Sequence, residues 1–203
     1  MKYGKMLTNM AVRKTIQIGD PRLKDKNQII KNFNDSKVKK VIKDLRDTMI
    51  KNDLVGMAAP QIGYNYQIFI TQPRKTKARK LPKGDKLRVY INPKIVKFFI
   101  KENIIYEGCG SVLNGNLFGP VKRPKEIIIE AYDEKGGKFQ VHCDGILARV
   151  IQHEYDHMTG VEFTEKIYDY KKLMAKEFYI KNIRNSKAQL QASNITIVEF
   201  KKV

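Results

Sequence analysis

Five short β-branched or aromatic runs lie between residues 89 and 141, and nothing of helical period separates them. They are Val89 to Ile91, Ile95 to Ile100, Ile104 to Tyr106, Ile127 to Tyr132 and Phe139 to Val141. Asn-Pro, Gly-rich and Glu-Lys-Gly-Gly turns punctuate them. Parallel strands need a crossover of about a dozen residues or more, usually a helix. Without one, these runs pair antiparallel, and that excludes most parallel α/β architectures.

Helical patterns flank the β region. Asn34-Asp35-Ser36 offers an N-cap, and Val38, Val41, Ile42, Leu45 and Met49 then recur at helical spacing, which predicts a helix over 37–51. Its apolar stripe reads as a face packed on the protein's own core. Residues 54–63 are small, apolar and poor in charge and read as a loop; Gln67 to Thr71 reads as a strand. Gly19-Asp20-Pro21 is a turn signal. Asp144-Gly145 opens a second helix bearing Ile146, Leu147, Val150, Ile151 and Glu154 to His157, and Gly160 ends it. Asp169 caps a third helix over about 170–185, and Ile195, Ile197 and Phe200 suggest a short last strand.

The second helix carries the chemistry. His153-Glu154-Tyr155-Asp156-His157 places two imidazoles one turn apart on one face, where both can meet a metal ion. Glu154, about 100° round, reaches a water beside the metal rather than the metal itself. A metal lowers the pKa of bound water toward about 7 and a carboxylate takes its proton, so the pattern fits a hydrolase. The preceding apolar residues make this a buried helix, and buried imidazoles need partners. A catalytic site then lacks a third protein ligand. A carboxylate, His142 and a cysteine all remain candidates, with Glu107-Gly108-Cys109-Gly110-Ser111 notable because a thiolate suits first-row metals. His142 and Cys143 read as ordinary strand-end residues.

Charge suggests a rival class. The 203 residues hold 40 Lys+Arg against 21 Asp+Glu, a net charge of +19, which draws a chain toward polyanions. Much of it falls in the stretch Arg74, Lys75, Lys77, Arg79, Lys80, Lys83, Lys86 and Arg88 and in the C-terminal tail, away from the chemical motifs. No aromatic residue interleaves that stretch as a stacking platform requires, and no zinc finger, RNP motif or paired CxxC accompanies it, so it reads as a solvated loop or hairpin tip. No apolar run approaches the roughly 18 residues of a bilayer span, and residues 1–20 have no apolar core of a secretory signal. Two cysteines, Cys109 and Cys143, are too few for a disulfide framework, and the reducing cytoplasm is the expected compartment. The length and a hydrophobic fraction of 42% suit one globular domain, 1–203.

Three segments in order carry a family resemblance: Val55-Gly56-Met57-Ala58-Ala59-Pro60-Gln61, then Glu107 to Ser111, then Gln152 to His157. With Asp20-Pro21-Arg22-Leu23, Val121-Lys122-Arg123-Pro124 and Gly145 to Arg149, the chain resembles the peptide deformylases over about 15–168, leaving a basic extension at about 169–203. The resemblance implies an α+β fold, with antiparallel β-sheets around a central helix carrying the HExxH motif, an N-terminal helix and a C-terminal helical extension. It implies metal-dependent hydrolysis of the N-formyl group from formyl-methionine on newly made proteins, with release of formate. Cys109, His153 and His157 would be the metal ligands, for Fe²⁺ above all, with Zn²⁺ or Ni²⁺ able to bind. Glu154 would be the base for the attacking water and then the acid for the leaving amine. Gln61 and the Gly110 N–H would stabilise the oxyanion. Gly56, with Val55, would bind the substrate backbone as an added strand. Glu107 and Asp156 would orient ligands. Val55, Ile105, Ile146 and Val150 are expected to line the side-chain pocket.

Two positions depart from the family pattern. Leu54 stands where the family has its first glycine, and Gly110 where it usually has leucine. A looser or slower site is the expectation. The competing readings are a homologue with altered substrate choice or weak activity, an HExxH zinc peptidase, and a basic module docking on the ribosome or RNA. The peptidase would need neither the Ala-Ala-Pro-Gln loop nor the Glu-Gly-Cys segment. Partners would be nascent formyl-methionyl chains, with ribosome association through the basic segments, and neither membrane nor specific DNA binding.

Overall fold

The structure is a computed structural model that describes residues 11–76, 79–81 and 83–203. The first ten residues and Lys77 of the basic stretch lie outside them. Asp20 caps the short 3-10 turn Pro21–Leu23, and Asp35 caps helix α1 (Ser36–Lys51) by accepting from the Lys37 N–H at 2.8 Å. Helix α2 spans Gly145–Met158. The strands are β1 (Gly56–Ala58), β2 (Ile68–Thr71), β3 (Arg88–Phe98), β4 (Glu102–Glu107), β5 (Leu117–Pro124), β6 (Glu126–Tyr132) and β7 (Lys138–Asp144). After α2 come β8 (Met174–Ala175), α3 (Lys176–Asn182), α4 (Lys187–Ser193) and β9 (Val198–Lys202). No described helix is long and apolar enough to cross a membrane.

Six strands form one sheet in the order β1-β2-β3-β6-β7-β9, three form another in the order β4-β5-β8, and all these pairings are antiparallel. Period-two alternation explains how β1–β3 are buried on both faces. Met57, Ile68, Ile70 and Ile91 face Val41, Leu45 and Met49 of α1. Ala58, Phe69 and Tyr90 face Leu147, Val150 and Ile151 of α2 on the other side. The other side of α2 is tied to the smaller sheet. Arg149 donates to the backbone oxygens of Val121 and Asn103, both at 3.0 Å, and Gln152 to Pro124 O at 3.0 Å.

Three local expectations need correction. Residues 54–63 are not all loop: Gly56–Ala58 pairs with β2, and Ala59–Ile62 forms a 3-10 turn. The strand β5 was not anticipated, because Gly119, Pro120 and Pro124 read as turn residues. A β-strand tolerates proline where one side lacks a partner. The short β8 covers only Leu117 and Phe118, so Pro120 needs no N–H on its outer side, and its carbonyl accepts from Tyr168 N at 2.8 Å. The third helix does not run over 170–185. Asp169 caps only a 3-10 turn, Tyr170–Lys172, and the chain then extends through β8 before α3. There Leu173 packs against Gly119, where a Cβ would fall 2.8 Å from Leu173 Cδ2, and this tertiary contact overrides local helix propensity.

The C-terminal segment is anchored to the start of α2. Asp144 does not cap that helix; its carboxylate accepts from the backbone N–H groups of Thr196 and Ile197 at 2.8 and 2.9 Å and from the Thr196 hydroxyl. Gly145 sits at φ 58°, and a Cβ there would collide with the Asn194 carbonyl.

Candidate metal centre and its cavity

Antiparallel pairing ends β4 at Glu107, and the chain leaves the sheet through Gly108 to Cys109. Gly108 is required by close approach: a Cβ would stand 2.6 Å from the Phe118 ring. Cys109 thereby faces α2, and its sulfur lies with donor nitrogens of His153 and His157 inside 4.8 Å of one another. Cys109 Sγ is 3.4 Å from His157 Nε2. A tetrahedral ion with metal–sulfur and metal–nitrogen bonds of about 2.3 and 2.0 Å separates such ligands by about 3.5 Å. One thiol and two imidazoles, all buried, suit a first-row divalent metal.

The ligands are held from behind. His153 Nδ1 contacts Glu107 Oε2 at 2.9 Å, which leaves Nε2 for the metal side. Glu107 also accepts from Arg123 Nε and Nη2 at 2.8 and 3.0 Å and from Arg149 Nη1 at 2.9 Å. Burial alone would raise the Glu107 pKa, but Arg123, His153 and Arg149 hold it well below the usual carboxylate range. Burial works against a charged His153, yet Cys109 and Glu107 pull its pKa well above the ordinary value. The same field favours a bound cation. Burial, then the charge on His153, push His157 well down, keeping it in its ligand form. Asp156 accepts from Arg123 Nη1 at 2.6 Å and so acts one residue further back.

Glu154 has a different setting. It is buried, its Oε2 has no hydrogen-bond partner among the described residues, and burial pushes its pKa up to about 7. It faces Gly56, where a Cβ would fall 2.5 Å from Val150 Cγ1 and closer still to Glu154 Oε1, so only bare backbone fits. The Gln61 amide is fixed at both ends. Its Oε1 accepts from Ala58 N at 2.8 Å, and its Nε2 lies 3.1 Å from Cys109 Sγ and 3.4 Å from Ser111 Oγ. These groups share a cavity of about 390 Å³.

Val55, Ile146 and Val150 line that cavity. Ile105 does not; it is fully buried, and the neighbouring Tyr106 takes its place on the lining. His142 stands elsewhere on β7, with Nε2 2.5 Å from Glu126 Oε1, and Cys143 is a buried free thiol whose pKa burial pushes up. The basic segments do not lie away from the motifs, as their sequence positions suggested. Arg79, from the basic stretch, and Lys176, Tyr179 and Arg184, from the extension, line the same cavity as Cys109 and Glu154. Lysine- and arginine-rich segments give no local sign of inward placement; Arg123 and Arg149 likewise had no sequence signal beyond their motifs.

The two departures from the family pattern meet in space. A Cβ on Gly110 would lie 3.2 Å from Leu54 Cδ1 and 3.8 Å from Thr15 Cγ2. Leu54 therefore occupies the room a leucine at 110 would take. The Gly110 loop is also tied down, because Gln17 Nε2 donates to Gly110 O at 3.0 Å while Gln17 Oε1 accepts from Asn114 N at 2.8 Å.

Comparison with known proteins agrees with this architecture. A family described as polypeptide deformylase matches residues 12–173. A peptide deformylase of Pseudothermotoga lettingae is 34% identical over 175 residues, covering 86% of this chain and 94% of that protein. A chloroplastic peptide deformylase 1B of Solanum lycopersicum is 35% identical over 156 residues, covering 77% of this chain. The chain spans only 53% of that plant protein's length. A crystal structure of a Synechococcus elongatus peptide deformylase in complex with actinonin superposes with a TM-score of 0.70 at 30% identity, covering 83% of this chain and 85% of that one.

Proposed function

Because the chain belongs to the polypeptide deformylase family, we propose that it hydrolyses the formyl group from N-terminal formyl-methionine of newly made proteins and releases formate. The observation that carries the reading is Glu154. A buried carboxylate with an unpartnered oxygen beside a Cys-His-His cluster is placed to exchange a proton with a small reacting molecule.

Cys109, His153 and His157 would hold the ion, which we assign as Fe²⁺, with Zn²⁺ and Ni²⁺ as alternative occupants of the same donors. When bound, that ion supplies Lewis acidity, making water more acidic and the formyl carbonyl more electrophilic. Glu154 takes a proton from the attacking water at its free oxygen and returns it to the departing methionine amine. The Gln61 Nε2 and Gly110 N–H groups donate to the oxygen that gains charge as the formyl carbon becomes tetrahedral. Gly56 leaves its backbone open to pair with the peptide, and Val55, Ile146 and Val150 receive the methionine side chain. In this reading α2 is the central helix of one catalytic domain, 1–203, with a core at 15–168. Nascent formyl-methionyl chains are the substrates, and the basic segments would hold the enzyme near the ribosome in the cytoplasm.

The test is formate release from formyl-Met-Ala-Ser by anaerobically purified protein loaded with Fe²⁺, Ni²⁺ or Zn²⁺. Glu154→Gln should lower the rate by about 10²–10⁴-fold with metal content unchanged. No release with any of the three ions refutes the reading.

A further inference from the structure

The cavity continues beyond the metal-ligand cluster to a cationic wall. Arg79 reaches it from the basic loop, Arg184 from the end of α3, and Lys80 N donates to Asn185 Oδ1 at 3.3 Å where the two segments meet. Residues 176–184 fall outside the family match at 12–173, so Arg184 is contributed by the C-terminal extension, whereas Arg79 lies within the matched region. Arg184 is preorganised: its guanidinium carbon sits 4.9 Å from the Tyr179 ring centroid and 5.6 Å from that of Phe118, rings that stack at 4.0 Å.

Each of these two cations has a buried nitrogen with an unused donor. Among the described residues, Arg79 Nη1 and Arg184 Nε are buried without a hydrogen-bond acceptor, an arrangement that destabilises a protein unless something else accepts. Burial, and then the charge of Arg184, push the Arg79 pKa down to about 10, leaving it cationic at neutral pH. Asp53 also lines the cavity, but its nearest cation is Arg74 at 4.0 Å, and its pull on Arg79 is weaker than the push from Arg184. The two guanidinium groups together have donors for one carboxylate, the planar acceptor that their fork geometry matches.

We propose that Arg79 and Arg184 form an anion subsite that receives an acidic side chain at the second or third residue of the formyl-methionyl substrate. The proposal rests on the deformylase reading for the direction of the peptide: with the formyl group at Cys109 and the methionine backbone at Gly56, the following residues run along this same cavity. A carboxylate held far from the reacting bond binds equally in ground and transition states. It therefore lowers KM and leaves kcat nearly unchanged.

Amidated peptides remove the competing terminal carboxylate. The pairs are formyl-Met-Ala-Glu-amide against formyl-Met-Ala-Gln-amide, and formyl-Met-Glu-Ser-amide against formyl-Met-Gln-Ser-amide. In at least one pair, KM for the Glu peptide should be about tenfold below that of its Gln isostere, with kcat within about twofold. That ratio should fall in about 0.5 M NaCl and approach one in the R79Q/R184Q variant. Equal KM values within both pairs, or a ratio unmoved by both salt and the double variant, overturn the proposal. If the double variant fails to fold, the single variants R79Q and R184Q take its place, each expected to lower the ratio. If the Gln peptides are not hydrolysed at all, the deformylase reading fails. The subsite is then judged by calorimetric binding of unformylated Met-Ala-Glu-amide and Met-Glu-Ser-amide against their Gln counterparts. Tenfold tighter binding of a Glu peptide supports it, and equal binding refutes it.

Discussion

Leu54 and Gly110 should behave as one exchanged pair, and a double-mutant cycle tests this. Gly110 does not have a left-handed backbone, so a leucine there meets no dihedral strain. It meets Leu54 instead. The first carbon already approaches Cδ1 to 3.2 Å, tighter than ordinary contact, and three more carbons must follow. Overpacking of this kind destabilises by about 1–3 kcal/mol. Leu54→Gly removes four carbons from a partly buried site, about half of a full core truncation, and adds backbone entropy, for about 2–3 kcal/mol in all. If the sites were independent, the double variant would lose the sum, about 4–5 kcal/mol. Because L54G vacates the space that G110L fills, the double variant should lose only about 1–2 kcal/mol, a coupling of about 3 kcal/mol. The assay is urea unfolding of the four proteins at equal metal load. In heat, the single variants should melt about 2–12 °C low and the double about 2–8 °C low, against about 8–20 °C for additive losses. Additivity within about 0.5 kcal/mol refutes the exchange.

Other outcomes follow from the site. Cys109→Ala should lose bound metal on dialysis, read by elemental analysis; full retention removes Cys109 as a ligand. Glu107→Gln leaves Arg123 and Arg149 buried without their shared anion and should destabilise by about 3–5 kcal/mol, lowering Tm by about 6–20 °C, with metal affinity weakened about 10–100-fold. Gly56→Ala should disrupt the site, because the added carbon invades Glu154 and Val150; a sharp fall in kcat/KM together with a Tm lowered by about 2–12 °C is the expected readout. In metal-free protein, Glu154 has a folded pKa near 7, above its ordinary 4.5, so the folded state binds the extra proton. That contribution to stability is complete below about pH 4.5 and is lost as pH rises through about 7. The stability of wild type should therefore fall as pH rises over this window relative to E154Q; parallel pH curves contradict the assignment.

Much of this arrangement was legible in the residues, for identifiable reasons. Val38 through Met49 mark α1 because one apolar stripe faces one sheet, and the β runs from 127 and 139 alternate because each has one buried face. The metal cluster was readable because helical spacing alone brings His153 and His157 together. Cys109 needed the family resemblance, since no local rule says which of several donors a fold will deliver. The strand β5 was hidden, because a partner missing on one side is what permits Pro120. The placement of Arg79 and Arg184 had no signal at all: a lysine- or arginine-rich run looks the same whether it meets water or a cavity.

The tie between Asp144 and Thr196 has a bearing on time. Synthesis proceeds from the N-terminus, so Cys109, His153 and His157 are made before the residues that close the cavity beside them. At about 5–20 residues per second, the stretch from His157 to Lys202 takes some seconds more. During that interval the start of α2 lacks its anchor, and β7 lacks the strand that pairs with it from Phe139 to Cys143. Cys109, His153 and His157 can gather before Arg184, the last-made part of the wall, arrives. The Cys-His-His cluster is thus complete in the growing chain before Arg184 joins Arg79 at the cavity wall.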